Sequence, residues 1–433
     1  MRILRVGLLC SSLASTAAIL SGQARPTTLV FVGARLVDGT GAVPVERSVL
    51  LVEGDRIRSI ATMSEPGTIP ADAERIDARG KTILPGFVNA HGHVADTSGL
   101  KAGPEFYTRD NLERQLRLYA QYGVTTVFSL GGDGPEGVAL RNEPPVGRAR
   151  LFIAGPIVTG TTAATATRQV DVAAAMKVDW IKFRVDDNLG TTPKMPRDAW
   201  LAALQRAHEH NLPVAAHLFY LADAKDLLRA GVDLIAHSIR DQPVDDEFIQ
   251  LVKAHETCVV PTLTREVSTF VYESDAPFFS DEFFLRHADP KVIQQLNDPA
   301  RQAQMRKSAS AQKYKEALKV AMQNLKTLED AGVRVAMGTD TGPPARFQGF
   351  FEHMELELMV KAGLTPMQAI VAATGDAARC MKKADTLGVI KPGASADFAI
   401  YRDDPTKDIR ATRSLESVYV AGARIPEAAP PGR

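Results

Sequence analysis

Residues 83–94 read ILPGFVNAHGHV and mark a change in the pattern of the chain. Before them, from Thr28 to about Ile83, short apolar runs alternate with turns that contain Gly and Asp, which predicts a small antiparallel sheet. After Pro85, short apolar runs alternate with helical stretches such as 197–210. This alternation is typical of an α/β domain built on parallel strands. We therefore expect the quoted stretch to supply the first strand of such a domain.

The apolar runs after Pro85 predict eight strands separated by helices, the number found in a (β/α)8 TIM barrel. After the run in the quoted stretch they are GVTTVFSLGG, ARLFIAGPIVTG, DWIKFRV, LPVAAHLF, GVDLIAHS, ETCVVPTL and VRVAMGTD. The end of the chain returns to short strands, which are expected to complete the N-terminal sheet as a small β-sandwich. The predicted fold class is α/β, with residues 85–383 as the barrel and residues 25–84 and 384–433 as the two parts of the sandwich.

The composition argues against partners that are recruited by charge. The chain has 433 residues, of which 45% are hydrophobic and 24% charged, as in ordinary globular proteins. Its 51 Lys and Arg balance its 51 Asp and Glu, so no net field attracts nucleic acid or an anionic membrane. A small-molecule partner is expected, and a homo-oligomer is left open.

Residues 1–24 have the layout of a secretory signal peptide, and we predict a secreted or periplasmic protein. Arg2 and Arg5 precede an apolar stretch, and small residues around Ala24 form a cleavage site. The apolar stretch is short and rich in Ser and Thr, so no stable membrane span is expected after cleavage; an uncleaved anchor is the alternative. Two cysteines, Cys258 and Cys380, then remain, and a single disulfide is left open.

Four histidines and one aspartate lie at the ends of predicted barrel strands. His91 and His93 are two residues apart, so their side chains point to one face of a strand. His217 ends the run PVAAH, His237 ends VDLIAH, and Asp340 ends VAMGTD. These ends lie on the face that carries active sites in barrel enzymes, where a carboxylate is costly unless paired or bound to metal. The pattern predicts a site for divalent metal.

Lys182 lies inside the predicted strand DWIKFRV and shares one face with Trp180 and Arg184. Burial disfavours the charged ammonium group and lowers the pKa of a lysine, which yields the neutral amine that reacts with carbon dioxide. The resulting carbamate is an anion with two oxygens and can bridge two cations. The alternative is a lysine at a strand end with its amino group in solvent.

These features resemble the metal-dependent amidohydrolase superfamily, in its imidazolonepropionase-related and prolidase-like group. The motifs that carry the resemblance are LPGFVNAHGHV, GVTTVFSLGG, DWIKF, PVAAH, GVDLIAHS, VVPTL, AGVRVAMGTDTG and LGVIKPGASADFAIY. The resemblance implies two divalent metal ions, with zinc expected and manganese left open. The implied ligands are His91, His93 and Asp340 for one ion, His217 and His237 for the other, and an N6-carboxylysine at Lys182 between them.

The resemblance also implies hydrolysis of an amide bond, with a dipeptide or an N-acyl amino acid as the expected substrate. A metal-bridging hydroxide would attack the carbonyl, and Asp340 would act as general base and then as general acid. The alternatives are a cyclic amide hydrolase like imidazolonepropionase, a mononuclear deaminase, and a ligand-binding protein without catalysis. Deaminases of the superfamily carry a glutamate three residues after the histidine of the fifth strand, where this chain has Tyr220.

Two further residues are predicted to contact the substrate. Tyr220, three residues after His217, could donate a hydrogen bond to the oxyanion in catalysis, or it is structural. Arg184 could pair with a substrate carboxylate, or it forms a structural salt bridge. The loops TGTTAATATRQ and DDNLG depart from those usual in dipeptidase-like relatives, so the substrate does not follow from the resemblance.

Overall fold

A computed structural model describes residues 27–427 of the chain. The predicted signal peptide, residues 1–24, lies outside the described residues, so its prediction stays open. Within residues 27–427, none of the helices has both the length and the apolar character needed to cross a membrane. The predicted domain boundaries also stay predictions.

The described residues form seventeen strands. In chain order they are β1 (Thr28–Leu36), β2 (Val45–Glu53), β3 (Arg56–Thr62), β4 (Glu74–Asp77), β5 (Thr82–Pro85), β6 (Phe87–Gly92), β7 (Thr97–Ser98), β8 (Lys101–Ala102), β9 (Val124–Ser129), β10 (Arg150–Ile153), β11 (Ile181–Arg184), β12 (Val214–His217), β13 (Leu234–Ala236), β14 (Cys258–Val260), β15 (Phe398–Tyr401), β16 (Leu415–Val420) and β17 (Ala423–Arg424).

Fourteen α-helices lie between and after these strands in the described part of the chain. They are α1 (Arg109–Gln121), α2 (Pro135–Arg141), α3 (Ala163–Ala175), α4 (Arg197–Glu209), α5 (Leu221–Arg229), α6 (Asp246–Ala254), α7 (Leu263–Ser268), α8 (Glu282–Leu285), α9 (Pro290–Leu296), α10 (Pro299–Lys307), α11 (Ala309–Asp330), α12 (Phe350–Lys361), α13 (Pro366–Ala372) and α14 (Gly375–Cys380). The predicted alternation of strands and helices after Pro85 is confirmed.

The two ends of the chain build one sheet of eight strands. Strand β5 pairs in parallel with β1 and antiparallel with β15, so it joins the N-terminal strands to the C-terminal ones. Phe31 packs edge-on against Phe398 and Tyr419, with ring centroids 5.0 Å apart in both pairs. The predicted contribution of both ends to one sheet is confirmed, because β5 pairs with strands from both ends. The small β-sandwich stays a prediction.

The parallel strands form two sheets, in the orders β10-β9-β6 and β11-β12-β13-β14, whereas a continuous eight-stranded barrel was predicted. Isolated bridges join neighbouring segments, pairing Val158 with Phe183, Val259 with Val335, and Gly92 with Thr341. The pairing of β10 with β9 ends at Ile153. The next two backbone N–H groups, those of Ala154 and Gly155, donate to Asp133 Oδ2.

The eighth predicted strand makes bridges but no ladder. A Cβ atom at Gly338 would lie 2.9 Å from both the backbone nitrogen and Cβ of His91, so the two backbones pass unusually close there. The N–H groups of Thr339 and Asp340 then both donate to the carbonyl oxygen of His91, at 3.1 and 2.7 Å. This curled backbone prevents regular strand pairing and places Asp340 beside His91.

Apolar side chains fill the space between these strands and α14. Val88, Phe128, Trp180 and Leu234 are buried there, and a disulfide joins Cys258 at the start of β14 to Cys380 at the end of α14. The bond that the sequence left open is thus present in the structure. It ties β14 to a helix 122 residues further along the chain.

Candidate metal centre

The six predicted metal ligands converge at the carboxyl ends of the parallel strands. His91 lies in β6, Lys182 in β11 and His217 at the end of β12. His93, His237 and Asp340 lie in the chain just after β6, β13 and the eighth segment. All six are buried or nearly so. The structure therefore brings together side chains that are up to 249 positions apart, from His91 to Asp340.

The first group of candidate ligands consists of His91, His93 and Asp340, whose ligand atoms all lie within 4.8 Å of one another. Asp340 Oδ1 is 2.9 Å from Nε2 of His93 and 3.5 Å from Nε2 of His91. Two imidazole nitrogens and a carboxylate oxygen at this spacing are a suitable donor set for zinc or a similar divalent ion.

The second group, His217 and His237, adjoins the first. Nδ1 of His217 lies 2.7 Å from Nε2 of His237, and the ring of His237 is 4.6 Å from that of His91. Lys182 Nζ is 3.0 Å from Nε2 of His91. The lysine is therefore inside the cluster, and its amino group does not reach solvent as the alternative interpretation required.

The outward nitrogens of three histidines are held by other groups. Nδ1 of His93 lies 2.9 Å from the carbonyl oxygen of Gly131, and Nδ1 of His237 lies 2.7 Å from Thr262 Oγ1. Nε2 of His217 is 3.2 Å from Asp186 Oδ2. Partners of this kind fix the tautomer so that the inward nitrogen keeps its lone pair for a metal. The fourth histidine differs, because His91 Nδ1 is buried without a hydrogen-bond partner.

The backbone of the centre is strained at two candidate ligands. His237 has a φ of 108° and Asp340 a φ of 55°, in the left-handed region that side chains other than glycine rarely adopt. Such conformations cost about 1–3 kcal/mol each and persist where the surrounding structure imposes them, often at functional sites. The strain at these two residues is consistent with selection for the position of their side chains.

Burial and neighbouring charges together set the protonation of the centre. Burial would lower the pKa of His93, but Asp340 outweighs it and raises that pKa. Burial lowers the pKa of Lys182 to about 7 and that of His217 to about 4, and it places the pKa values of His91 and His237 well below the usual value. Burial alone would raise the pKa of Asp340, but Arg346 and His93 outweigh it and hold that pKa well below its usual value. Neutral imidazoles, a neutral amine and a carboxylate are the forms in which these groups bind metal or react with carbon dioxide.

A cavity of about 310 Å³ opens onto the cluster. Its walls include three arginines, Arg184, Arg265 and Arg346, together with Asp96 and Asn188. The guanidinium group of Arg346 forms an ion pair with Asp340. Sequence patterns did not single out Arg265 or Arg346, because each lies on a loop or short helix beyond a strand end. The only sequence signal for the two arginines was a short distance along the chain, from Thr262 to Arg265 and from Asp340 to Arg346.

Residues 82–425 match the sequence model of the amidohydrolase family. The chain belongs to the amidohydrolase family. It is a metal-dependent hydrolase that acts on C–N bonds, with a TIM-barrel-like α/β fold.

Individual relatives agree with this assignment. Imidazolonepropionase of Geobacillus thermodenitrificans is 24% identical over 402 residues, which cover 83% of each chain. A putative prolidase from Bifidobacterium longum superposes with a TM-score of 0.75 at 23% identity, covering 95% of this chain and 97% of the other. A Xaa-Pro dipeptidase with methionine in its active site gives a TM-score of 0.72 at 22% identity, covering 92% and 99%. At these identities the solved structures support the fold alone.

The two predicted substrate contacts of this amidohydrolase lie in different places. Arg184 lines the cavity, and its Nε donates to Asp186 Oδ1 at 3.0 Å, so part of its charge is already compensated. Tyr220 is absent from the cavity wall as far as residues 27–427 show, and its hydroxyl donates to Asp187 Oδ1 at 2.8 Å. Its ring is covered by Lys194 Nζ, 4.1 Å from the ring centroid. The oxyanion role of Tyr220 stays a prediction to which this geometry adds no support.

Proposed function

We propose that this amidohydrolase cleaves the amide bond of a dipeptide or an N-acyl amino acid at a centre that holds two zinc ions. The observation that carries the proposal is the buried cluster of His91, His93, Lys182 and Asp340 with the neighbouring pair of histidines, which opens onto the cavity. In this arrangement His91, His93 and Asp340 would hold one ion and the other two histidines the second, with Lys182 between the ions. When bound, the ions would polarise the substrate carbonyl and lower the pKa of water.

Asp340 is the group of the chain that moves the proton. Its carboxylate would accept the proton of the attacking water as the new C–O bond forms, and would pass it to the amine nitrogen as the C–N bond breaks. Arg346 and His93 hold this carboxylate in place and keep it ionised in the resting state. The fixed position matters because the carboxylate must lie within hydrogen-bond distance of the water when it accepts the proton, and of the amine nitrogen when it returns the proton.

Lys182 would hold the ions as a carbamate. Its neutral amine forms a N–C bond with carbon dioxide and loses one proton to solvent, which leaves a single negative charge on two oxygens. The burial that lowers the lysine pKa to about 7 supplies the neutral amine near neutral pH. Lys182→Ala is therefore expected to bind less metal than the wild type, and added bicarbonate should raise metal binding only in the wild type. Equal metal content in the two proteins would contradict the bridging role.

Hydrolysis of a cyclic amide is a second candidate, because imidazolonepropionase is among the relatives. The two candidates differ in metal content, since the carbamate-bridged centre requires two ions per chain. The test is a metal count by elemental analysis, combined with a library of dipeptides, N-acyl amino acids and cyclic amides assayed against zinc-loaded protein. Two zinc ions and turnover of linear amides alone would support the proposal. One ion with turnover of cyclic amides alone would overturn it.

We also propose that the protein acts outside the cytosol. The buried disulfide between Cys258 and Cys380 supports this location, because such bonds form and persist mainly in oxidising compartments. N-terminal sequencing of protein from a fractionated native host tests the proposal. A mature chain that starts near Arg25 in the exported fraction is expected, and an intact N-terminus in the cytosolic fraction would contradict export.

A further inference from the structure

Two buried arginines share one glutamate beside the metal centre. Arg265 and Glu266 lie in α7, and Arg240 follows β13. Glu266 Oε2 is 3.0 Å from Nη1 of Arg265, and its Oε1 is 3.0 Å from Nε of Arg240. The side chains of Arg240, Glu266 and Arg265 are 0%, 1% and 8% exposed. Because two guanidinium groups face one carboxylate, an excess positive charge remains in a buried part of the protein.

Arg265 is the member of this triad that reaches the cavity. Its Nη2 donates to the hydroxyl of Tyr314 at 3.2 Å, and its guanidinium group lies 4.3 Å from the centre of that ring. Its Nε is buried without a hydrogen-bond partner. Arg240 is not among the described residues of the cavity wall. Its Nη1 donates to the carbonyl oxygens of Leu218 and Ser238, whereas its Nε and Nη2 are buried without a hydrogen-bond partner.

The other arginines of the cavity wall are compensated. Arg346 is paired with Asp340, and Arg184 is paired with Asp186 and is 38% exposed to solvent. Glu266 supplies one negative charge to the two buried guanidinium groups of Arg240 and Arg265, so this pair of arginines keeps an excess positive charge. Arg265 is the arginine of the pair that lines the cavity, and an anion bound there would balance the excess.

We propose that Arg265 binds a carboxylate of the substrate and thereby restricts this amidohydrolase to amides whose leaving amine carries a free carboxylate. Glu266 and Tyr314 orient the guanidinium group, and Arg240 keeps the net charge of the triad positive. The inference rests on the proposed function and deepens it, because it assigns the specificity to a residue that no sequence pattern indicated.

The experiment compares matched substrates that differ only in this charge. N-acetyl derivatives of glycine, L-alanine, L-leucine, L-phenylalanine and L-proline are assayed beside their C-terminal carboxamides, with zinc-loaded wild type, Arg265→Gln and Arg265→Lys. For the wild type we expect kcat/KM to be about 30-fold higher on the acids, as for a charged hydrogen bond inside a protein. In Arg265→Gln the preference should disappear because KM for the acids rises, so that acids and carboxamides are hydrolysed with similar kcat/KM. Arg265→Lys should restore part of the preference.

A structural role for Arg265 would lower activity on acids and carboxamides alike, and circular dichroism and zinc content report on folding. Equal activity of the wild type on acids and carboxamides would overturn the proposal even if Arg265→Gln does not fold. A preference that survives in Arg265→Gln would do the same. If the wild type hydrolyses neither set, the proposed function fails for these amides, and calorimetric binding of the same compounds decides the inference: tighter binding of the acids by the wild type alone supports it, and equal binding overturns it.

Discussion

The two ends of the parallel strands are built from opposite kinds of residue. At their carboxyl ends, which we call the mouth, buried histidines, Lys182 and Asp340 surround the cavity. At their amino ends, the floor, apolar side chains pack against α14, and Cys258 is bonded to Cys380. Strand β14 alone shows the contrast, since it begins at Cys258 and leads within four residues to Thr262, which contacts His237.

The contrast separates the residues that serve stability from those that serve chemistry. The mouth contains buried charged side chains and candidate ligands with positive φ, both of which destabilise the folded state. The floor contains well-packed apolar groups and a covalent bond, which stabilise it. Changes at the mouth should therefore alter turnover, and changes at the floor should alter the free energy of unfolding.

The largest expected effect is at the mouth. Asp340→Asn keeps the shape of the side chain but removes the proton acceptor, and kcat should fall by about 1,000-fold, the size typical of general acid–base catalysis. Zinc content should stay near that of the wild type. Asp376→Asn on α14 is the matched control, because Asp376 lies at the floor beside Arg334 and should leave kcat unchanged. A comparable fall of kcat in the two variants would contradict the distinction between mouth and floor.

The sequence predicted the mouth better than the floor. The four candidate histidine ligands and Asp340 each close or follow an apolar run, and Lys182 lies inside one, so their places on the strands can be predicted from the chain alone. The triad of Arg240, Glu266 and Arg265 and the disulfide could not be predicted in this way, because they depend on which distant segments become neighbours. The eighth strand shows a further limit: its residues favour a strand, but the close approach of Gly338 to His91 bends it.

The disulfide should dominate the stability of the floor. Cys258→Ala with Cys380→Ala removes a bond that closes a loop of over one hundred residues, and the free energy of unfolding should fall by about 4 kcal/mol. Denaturant unfolding of the zinc-loaded protein measures the loss. Turnover at 25 °C should change less than about two-fold, since neither cysteine lines the cavity. A loss of turnover without a loss of stability would mean that the disulfide at the floor affects the chemistry at the mouth.

A pH effect should arise from Glu355, which lies behind the mouth on α12. Burial raises the pKa of Glu355 to about 7, although Leu263 and Thr264 donate hydrogen bonds to its oxygens. A raised pKa in the folded state stabilises the protein fully below about pH 4.5, and this stabilisation is lost as the pH rises through about 7.

Glu355→Gln removes this titration. Relative to the wild type, its free energy of unfolding should therefore rise by about 3 kcal/mol between pH 4.5 and pH 7. Urea unfolding at several pH values measures the difference. Glu316→Gln on the surface of α11 is the control and should follow the wild type, because Glu316 is exposed. A constant difference between Glu355→Gln and the wild type across this range would show that Glu355 does not titrate there.

The smallest effect is expected at the start of α13, the helix that leads to the floor. Thr365 caps this helix by accepting a hydrogen bond from the N–H of Gln368 at 3.2 Å, and the side chain of Gln368 accepts one from the N–H of Thr365 at 2.8 Å. Thr365→Ala should lower the free energy of unfolding by about 1 kcal/mol, whereas Thr365→Ser keeps the hydroxyl and should lose less than half of that.

The carbonyl oxygens of Ala372 and Ala373, at the other end of α13, accept hydrogen bonds from Met337 and Val88. A loosened cap should therefore weaken the packing of the strands at the floor without moving a metal ligand, and kcat and KM measured beside the unfolding curves should stay at wild-type values. A change in either constant would show that strain at the floor reaches the mouth through these two backbone bonds.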